Sequence, residues 1–438
     1  MFKKFTSFNH SGVRRRDFLK IFGFALGGLA INQIPFTNRK AEYSFSPDRI
    51  KISHMPVIGM IIPNKGLYPH IGSSIAAGFK LAMDECDVNG ICNPDKLRIM
   101  EVGTNPNEAI DKVKILLEND KVDILAGVIN PAVAERLHGI LEKNRTFLIL
   151  MEAGSNVVRN NEYSPYIFHN NLGYWRSNFA LGEWGVRNYG KKVFVASSFY
   201  ESGYDALYAF NLGVEKAGGK VIKTYVSHVT PNAMEMNFLM QSIAEDKPDF
   251  ILASYSGKEA VEFAHAYSSS FSINKIPLVC SSIMAENINQ DNSISLLPGM
   301  ISASSWSSGL NSKENKSFKK SFLQLTGRPA NSFAVLGYDT GHLIIAAAVA
   351  AGSKLNNVTK VREVLRNSVI NSPRGLLQMD SMTHNIQPPV YLQKLIVNNT
   401  GFYNRIIDEL RPVSEGYHSL AALRNETRTG WLNAYLNV

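Results

Sequence analysis

The order of apolar runs along this chain constrains its fold more than any other feature. Short β-forming runs alternate with amphipathic helical stretches from 57 to 151, and the alternation begins again from 192 to 281. The run at 57–62 is apolar throughout, which is typical of a strand buried on both faces, whereas 72–87 has its apolar residues on one helical face. Strands that alternate with helices build parallel sheets covered on both faces. The chain is therefore predicted to form two doubly wound α/β lobes with a hinge between them.

The two units are joined near 169–176, and the residues after the second unit are shared between the lobes. A late pair of strands is predicted at 376–380 and 390–397. Paired α/β lobes present the carboxyl ends of their strands to a common cleft, where ligands usually bind. The predicted division is a leader at 1–40, lobe one at 53–168 and 303–385, and lobe two at 169–302 and 386–438.

The charge of the chain is concentrated at one end. The formal net charge is +9, from 46 basic and 37 acidic residues, but residues 1–40 contain eight of the basic residues and one acidic residue. The rest of the chain is nearly balanced. A nucleic-acid partner needs a basic stripe on the folded part, so no nucleic-acid partner is predicted.

The basic leader has the layout of an export signal, with positive residues before a short apolar run at 21–30. It also resembles the twin-arginine motif, although Arg14 stands where that motif usually has Ser or Thr. The chain is thus expected to use the twin-arginine translocase and to reach the periplasm. Either a cleaved signal or a retained anchor fits, and a membrane contact is expected only through an uncleaved leader. The motif residues are Arg15, Arg16, Phe18 and Leu19.

Cysteine spacing and catalytic motifs narrow the function further. Cys86 and Cys92 flank the turn-forming pair Asn89-Gly90, so either a local disulfide or two thiols fits there. No His or Cys spacing matches a metal site, and neither a metal nor a cofactor is predicted. The chain has no nucleophile elbow, zinc-protease motif, phosphate loop or dinucleotide fingerprint. It is therefore predicted not to be an enzyme.

Short segments in a fixed order resemble one family, from about residue 55 to at least 397. The chain is similar to the type I periplasmic solute-binding proteins of the leucine/isoleucine/valine kind, which serve ABC importers. The matching segments are Pro63, Gly66, Tyr68 and Gly72, Ala77-Gly78-Phe79-Lys80-Leu81-Ala82, Asn105-Pro106-Asn107-Glu108-Ala109, Lys121-Val122-Asp123-Ile124-Leu125-Ala126-Gly127, Lys191-Lys192-Val193, Glu215-Lys216-Ala217-Gly218-Gly219, Lys247-Pro248-Asp249, Tyr338-Asp339, and His384-Asn385 before Pro389-Val390-Tyr391.

This resemblance implies a hinged receptor that closes on a small polar ligand, such as an amino acid, an amide or a related compound, and delivers it to ABC permease subunits. The alternative is an envelope sensor of the same fold that passes its occupancy to a signalling partner. Ala153 and Ser155 match the family's carboxylate-binding positions, and Tyr255 matches an aromatic contact in lobe two. Asn130 falls beside another binding position, before a proline that has no N–H to donate. The remaining binding candidates are Tyr68, Tyr200 and Ser282.

One departure from the family concerns the ligand. Members that bind α-amino acids usually have an acidic residue after the strand at 277–280, where this chain has Ser281-Ser282. A hydroxyl cannot neutralise a buried ammonium group. A neutral amide, a polyol or an aromatic acid therefore fits at least as well as an amino acid. The carboxylates that could substitute are those of Glu152, Glu201 and Glu286.

Overall fold

The structure is a computed structural model. It describes residues 55–63, 70–86, 96–103, 105–129, 131–152, 164–199, 205–228, 231–270, 274–288, 292–351, 355–381, 383–399 and 401–410. The export-signal residues Arg15, Arg16, Phe18 and Leu19 lie outside these ranges, as does Cys92. The export signal and the Cys86–Cys92 disulfide therefore stay predictions.

Strands and helices alternate along the described residues. The strands are β1 (Ile58–Pro63), β2 (Leu97–Val102), β3 (Ile124–Gly127), β4 (Phe147–Glu152), β5 (Ile167–Asn171), β6 (Lys192–Ser198), β7 (Lys220–Ser227), β8 (Phe250–Ser254), β9 (Leu278–Cys280), β10 (Ile301–Ser304), β11 (Val369–Ser372), β12 (Gly375–Gln378), β13 (Val390–Asn398) and β14 (Gly401–Leu410). The helices are α1 (Ile71–Cys86), α2 (Pro106–Glu118), α3 (Pro131–Asn144), α4 (Tyr174–Tyr189), α5 (Asp205–Lys216), α6 (Ala233–Asp246), α7 (Gly257–Ser269), α8 (Ser282–Ile288), α9 (Lys313–Thr326), α10 (Ser332–Ala351) and α11 (Val358–Arg366).

The first sheet has the order β2-β1-β3-β4-β5, and all its neighbours are parallel. Every residue of β1 is buried, as expected for an apolar strand near the middle of a sheet covered on both faces. Helix α2 begins where the sequence places a proline at the first turn, and the Asn105 side chain accepts a hydrogen bond from the Asn107 N–H. The parallel, doubly wound arrangement predicted from the sequence is confirmed.

The second sheet has the order β14-β13-β10-β9-β8-β6-β7. Strands β6 to β10 pair in parallel, whereas β13 runs antiparallel to both β10 and β14. The predicted pairing of the strands at 376–380 and 390–397 is wrong, because β12 pairs with β11 and β13 pairs with β10 and β14. Tight turns decide these pairings. Gly375 (φ 105°) and Gly401 (φ 125°) supply the positive φ that lets each of two strands fold back on its neighbour in sequence.

Strands β11 and β12 form a separate two-stranded sheet. Among the described residues, the chain passes between the two sides of the molecule from β5 to α4 at 172–173, from β10 to α9 at 305–312 and from β12 to β13 at 379–389. We call these stretches the crossing segments. Helices α1 to α3, α10 and α11 share a core with the first sheet, whereas α6 and α7 pack on the second. The lobe boundaries given above remain a prediction.

Glycines let one pair of helices approach closely on each side of the molecule. A Cβ on Gly78 of α1 would lie 1.8 Å from the Ala334 carbonyl oxygen of α10, and a Cβ on Gly213 of α5 would lie 2.0 Å from the Phe179 carbonyl oxygen of α4. Helix α10 is also long and apolar enough to cross a membrane, but 83% of that stretch is buried inside the protein. This burial is typical of a core helix.

Candidate functional site

A strained turn lies at the carboxyl edge of the first sheet. Gly127 (φ 101°) ends β3, and Val128 follows with φ 59°, a conformation that β-branched residues rarely adopt. The Val128 N–H donates to the Ile61 carbonyl oxygen at 3.0 Å, which holds the turn against β1. Strain of this kind persists where surrounding contacts enforce it, and it is concentrated at functional sites. In the sequence, the predicted binding residue Asn130 follows two positions after Val128 and lies outside the described residues.

A small apolar recess with a cavity volume of about 20 Å³ lies beside this turn at the ends of β1, β2 and β3. Its position agrees with the general rule that open α/β sheets bind ligands at the carboxyl ends of their strands. The lining consists mainly of aliphatic side chains, so the recess suits the apolar part of a ligand. The lining residues are Ile61, Ile62, Pro63, Val102, Gly103, Asn105, Pro106, Ala109, Val128, Ile129 and Val133.

Five of the predicted ligand contacts lie outside the described residues and stay predictions. They are Tyr68, Asn130, Ala153, Ser155 and Tyr200. The structure positions the other two, Tyr255 and Ser282, both on the second sheet's side of the molecule.

Tyr255 is fully buried directly after β8. Its hydroxyl lies 2.9 Å from the Ser227 Oγ, and its ring stacks on Phe263 with ring centroids 4.9 Å apart. Burial raises the pKa of the Tyr255 hydroxyl, so the side chain is neutral at physiological pH. In this arrangement Tyr255 fills the core and directs its one polar atom to the end of β7.

Serines end the parallel strands of the second sheet. Each lies at the carboxyl end of a strand, and all are buried. We call this row the serine edge; its members are Ser198, Ser227, Ser254, Ser281 and Ser304. A row of hydroxyls donates and accepts hydrogen bonds but carries no charge. The serine edge therefore suits uncharged groups and anions better than a cation.

The position where the family often has an acidic residue is part of this edge. The Ser281 N–H donates to the Ala253 carbonyl oxygen at 3.1 Å, and the Ser281 Oγ accepts from the Met284 N–H at 3.3 Å. Ser282 is half-buried and begins α8, whose first turn contains no acidic residue. The local backbone thus uses Ser281 to cap α8.

Glu286 is the substitute carboxylate whose contacts the structure describes, since the side chains of Glu152 and Glu201 lie outside the described part. Its Oε2 accepts hydrogen bonds from the Ser332 N–H at 3.0 Å and from the Ser332 Oγ at 2.8 Å. Burial raises the pKa of Glu286 to about 7. The carboxylate is therefore engaged with the beginning of α10.

Arg374 is a buried residue that sequence reasoning missed. Its guanidinium is fully buried and donates from Nε to the Asp339 Oδ2 at 2.9 Å. Pro373-Arg374-Gly375 is typical of an exposed turn, so no pattern in the sequence points to burial of this charge. A buried cation needs a counter-charge and hydrogen-bond acceptors, and Asp339 supplies the charge.

The other contacts of Arg374 join the crossing segments. Nη1 donates to the Asn171 carbonyl oxygen at 2.7 Å and to the Ser305 Oγ at 3.4 Å, and Nη2 donates to the Asn170 Oδ1 at 2.8 Å. The Tyr391 hydroxyl donates to the Arg374 carbonyl oxygen at 2.7 Å. Because these partners together lie in or beside all three crossing segments, Arg374 fixes the place where the chain passes between the two sides of the molecule.

Within the described ranges no three His, Cys, Asp or Glu side chains are grouped so that they could hold a metal ion. Cys280 is fully buried in the second core, where burial raises the pKa of its thiol.

A family profile described as periplasmic binding protein matches residues 57–401, which is most of the chain. The chain therefore belongs to the periplasmic binding protein family, and the family and fold predicted from the sequence are confirmed. No curated protein matches the sequence.

Solved structures of solute-binding proteins share this fold. One, from an ABC transporter of R. palustris in complex with benzoate, has a TM-score of 0.70 at 22% identity and covers 81% of this chain and 97% of that chain. An ABC transporter substrate-binding protein from Sphaerobacter thermophilus has a TM-score of 0.74 at 20% identity, with 81% and 97% covered. An ABC-type branched-chain amino acid transporter protein from Rhodopseudomonas palustris CGA009 has a TM-score of 0.64 at 16% identity, with 81% and 96% covered.

Proposed function

We propose that this protein is the periplasmic receptor of an ABC importer, exported by the twin-arginine translocase, and that it delivers a small ligand to permease subunits. Membership of the periplasmic binding protein family and the paired parallel sheets support this role. The two sheets are joined by crossing segments, which lets the sheet units close on a ligand by a hinge motion. Ligand contacts made only in the closed arrangement would favour closure.

The ligand class that we propose is a small monocarboxylic acid without an ammonium group. The observation that carries this proposal is the serine edge, which has hydroxyls where an ammonium group would need a carboxylate. The aliphatic side chains of the recess beside Val128 offer apolar contacts to the rest of the ligand. Ser155 and the Ala153 backbone are the proposed carboxylate contacts. A benzoate complex among the proteins of similar fold is consistent with this class.

Calorimetry and thermal unfolding of the exported protein with benzoate, benzamide and leucine test the ligand class. A ligand at 100 times its Kd raises the free energy of unfolding by about 2.7 kcal/mol. We expect this stabilisation with benzoate, a weaker one with benzamide because it lacks the charge, and none with leucine. Tight and selective leucine binding would contradict the proposed ligand class.

A pair of serine variants separates a binding contact from a general effect. Ser155→Ala removes the proposed hydrogen bond to the ligand carboxylate, so benzoate affinity should fall by about tenfold or more. Ser269→Ala, on the exposed surface of α7, should leave the affinity unchanged. Equal affinities of the two variants would remove Ser155 from the site.

A further inference from the structure

Helix α9 presents a row of lysines to solvent. Its buried side, which contains Phe318 and Phe322, packs in one core with residues of α1 and α10. Residues three, four and seven positions apart share one face of a helix. On the face opposite the buried phenylalanines, three exposed lysines and a half-exposed leucine have this spacing. We call them the lysine stripe; its members are Lys313, Lys316, Lys320 and Leu323.

A fourth lysine borders the stripe. Lys319 is half-buried, and its Nζ donates to the Ser308 carbonyl oxygen ahead of the helix. This bond holds the Lys319 ammonium group beside the stripe, where it adds to the positive charge. The stripe is about 15 Å long, since a helix rises about 1.5 Å per residue.

No carboxylate neutralises the stripe among the residues that the structure describes. Glu314, the single acidic residue of α9, lies about 100° or more round the helix from every member of the stripe. None of the stripe lysines forms an ion pair within the described ranges. The exposed Lys80 of α1, by contrast, pairs with Asp84 four residues further on, at 2.6 Å.

This local concentration of positive charge calls for an anionic occupant. The residues that follow the leader are nearly balanced in charge, so the stripe is not part of a general excess of lysine. Charge complementarity between two surfaces favours their encounter and fixes their orientation.

The composition of the stripe favours a lipid surface over a protein. Interfaces between proteins are depleted in lysine and enriched in aromatic residues at their centre, whereas the stripe has lysines and one aliphatic residue. A lysine ammonium group is a compact point charge on a flexible stem, which suits mobile phosphate headgroups. Leu323, half exposed among the lysines, can enter the boundary between headgroups and acyl chains.

We propose that the lysine stripe holds the exported protein against a membrane surface that contains anionic phospholipids. This rests on the proposed function, which places the protein in the periplasm and beside a permease, but it is independent of the ligand class. The contact is separate from the one expected of an uncleaved leader. A receptor held in this way reaches permease subunits by moving along the membrane surface.

Flotation of the exported protein with lipid vesicles tests the stripe. The vesicles contain phosphatidylcholine alone, or phosphatidylcholine and phosphatidylglycerol in a ratio of about two to one, which gives a negative surface potential. We expect binding to be about a hundredfold or more tighter on the anionic vesicles, since each lysine near such a surface contributes about fivefold. Raising the ionic strength from about 0.02 M to about 0.5 M should remove most of this difference, because salt screens exposed charges.

A triple variant assigns this binding to α9. Lys313→Gln, Lys316→Gln and Lys320→Gln together remove the charges of the stripe, so affinity for the anionic vesicles should fall by about a hundredfold. Lys319 is left in place because it donates to the backbone ahead of the helix. Circular dichroism checks that the variant is folded, as expected for exposed substitutions.

The matched control makes the same change in net charge elsewhere. Lys143→Gln, Lys191→Gln and Lys258→Gln together remove three exposed lysines, one on α3, one ahead of β6 and one on α7. This variant should bind the anionic vesicles like the wild type. A retained leader would add the same binding to every variant, so the comparison of the two triple variants isolates the stripe.

Three outcomes would overturn the proposal. They are equal binding to the two kinds of vesicle, equal affinities of the two triple variants, and binding of soluble polyglutamate through the stripe lysines without binding to vesicles. The last outcome would assign the stripe to an acidic protein. None of these readouts uses a ligand, so failure of benzoate to bind counts against the proposed ligand class alone.

Discussion

Two polar contacts between the sheet units differ in how their charge is compensated. Arg374 is fully buried, pairs with Asp339 and donates to acceptors beside the crossing segments. Glu286 is half-buried and accepts two hydrogen bonds from Ser332, which is an uncharged partner. A buried charge with a counter-charge and several partners is costly to break, whereas a carboxylate held by neutral donors is released more easily. The Arg374 contact therefore suits an attachment that stays intact, and the Glu286 contact suits one that can break and re-form.

Removing the Arg374 side chain is expected to have the largest effect on stability. Arg374→Met leaves the Asp339 carboxylate buried without its counter-charge, which should lower the free energy of unfolding by about 3–5 kcal/mol. Denaturant unfolding followed by circular dichroism measures this loss. The control Arg187→Met removes an exposed arginine paired with Glu183 on α4, and it should cost about 1 kcal/mol or less. Similar losses of stability in both variants would show that the buried contacts of Arg374 do not hold the crossing segments together.

A smaller loss of stability is expected when the packing of α10 against α1 is disturbed. Gly78→Ala places a methyl group 1.8 Å from the Ala334 carbonyl oxygen and must push α10 away from α1, at a cost of about 1–3 kcal/mol. The matched variant is Gly139→Ala on α3, where an added Cβ meets nothing within 4 Å. That change should stabilise the protein by about 1 kcal/mol, because alanine favours a helix interior over glycine. If Gly78→Ala lowers the free energy of unfolding and Gly139→Ala raises it, the close approach of α1 and α10 is confirmed. Changes in the same direction would contradict it.

The smallest effect concerns the serine edge. Tyr255→Phe removes the hydrogen bond to Ser227 and should lower the free energy of unfolding by about 1 kcal/mol. Tyr267→Phe is the matched control, since its hydroxyl donates to the Ile276 carbonyl oxygen at 2.7 Å in the same core. If Tyr255 is a ligand contact, only its variant loses benzoate affinity by calorimetry. Equal affinities would make Tyr255 a core residue like Tyr267.

The parts of the fold that were predicted correctly are those with a local periodic signal. The run at β1 and the stripe on α1 reflect burial of one element against its immediate neighbours, which the sequence records directly. Helix α10 shows the limit of that signal. It is buried nearly all round and has no amphipathic face, so the periodicity of its apolar residues does not mark where it begins. Strand β14 was missed because its turn at Gly401 lies among polar residues with no strong alternation.

The residues of the candidate site likewise fall into those that the sequence reveals and those that only the structure reveals. The missing acidic residue at Ser281-Ser282 could be noticed without coordinates. The five serines of the serine edge are far apart in the sequence, and the pairing of β6 to β10 brings them into one row. Arg374 could not be found in this way. Its partners Asn171, Ser305 and Tyr391 are distant in sequence and are brought together by the crossing segments.

The sequence by itself determined the family, the alternation of strands and helices, and the presence of Ser281-Ser282 where the family usually has an acidic residue, because these depend on residues that are close along the chain. The tertiary structure alone decided which strands pair late in the chain, that Arg374 is buried, and that Glu286 meets the beginning of α10. Each of these depends on contacts between distant segments. Burial and partners then differ at the two contacts: Arg374 is fully buried and paired with Asp339, whereas Glu286 is half-buried and held by the Ser332 N–H and hydroxyl.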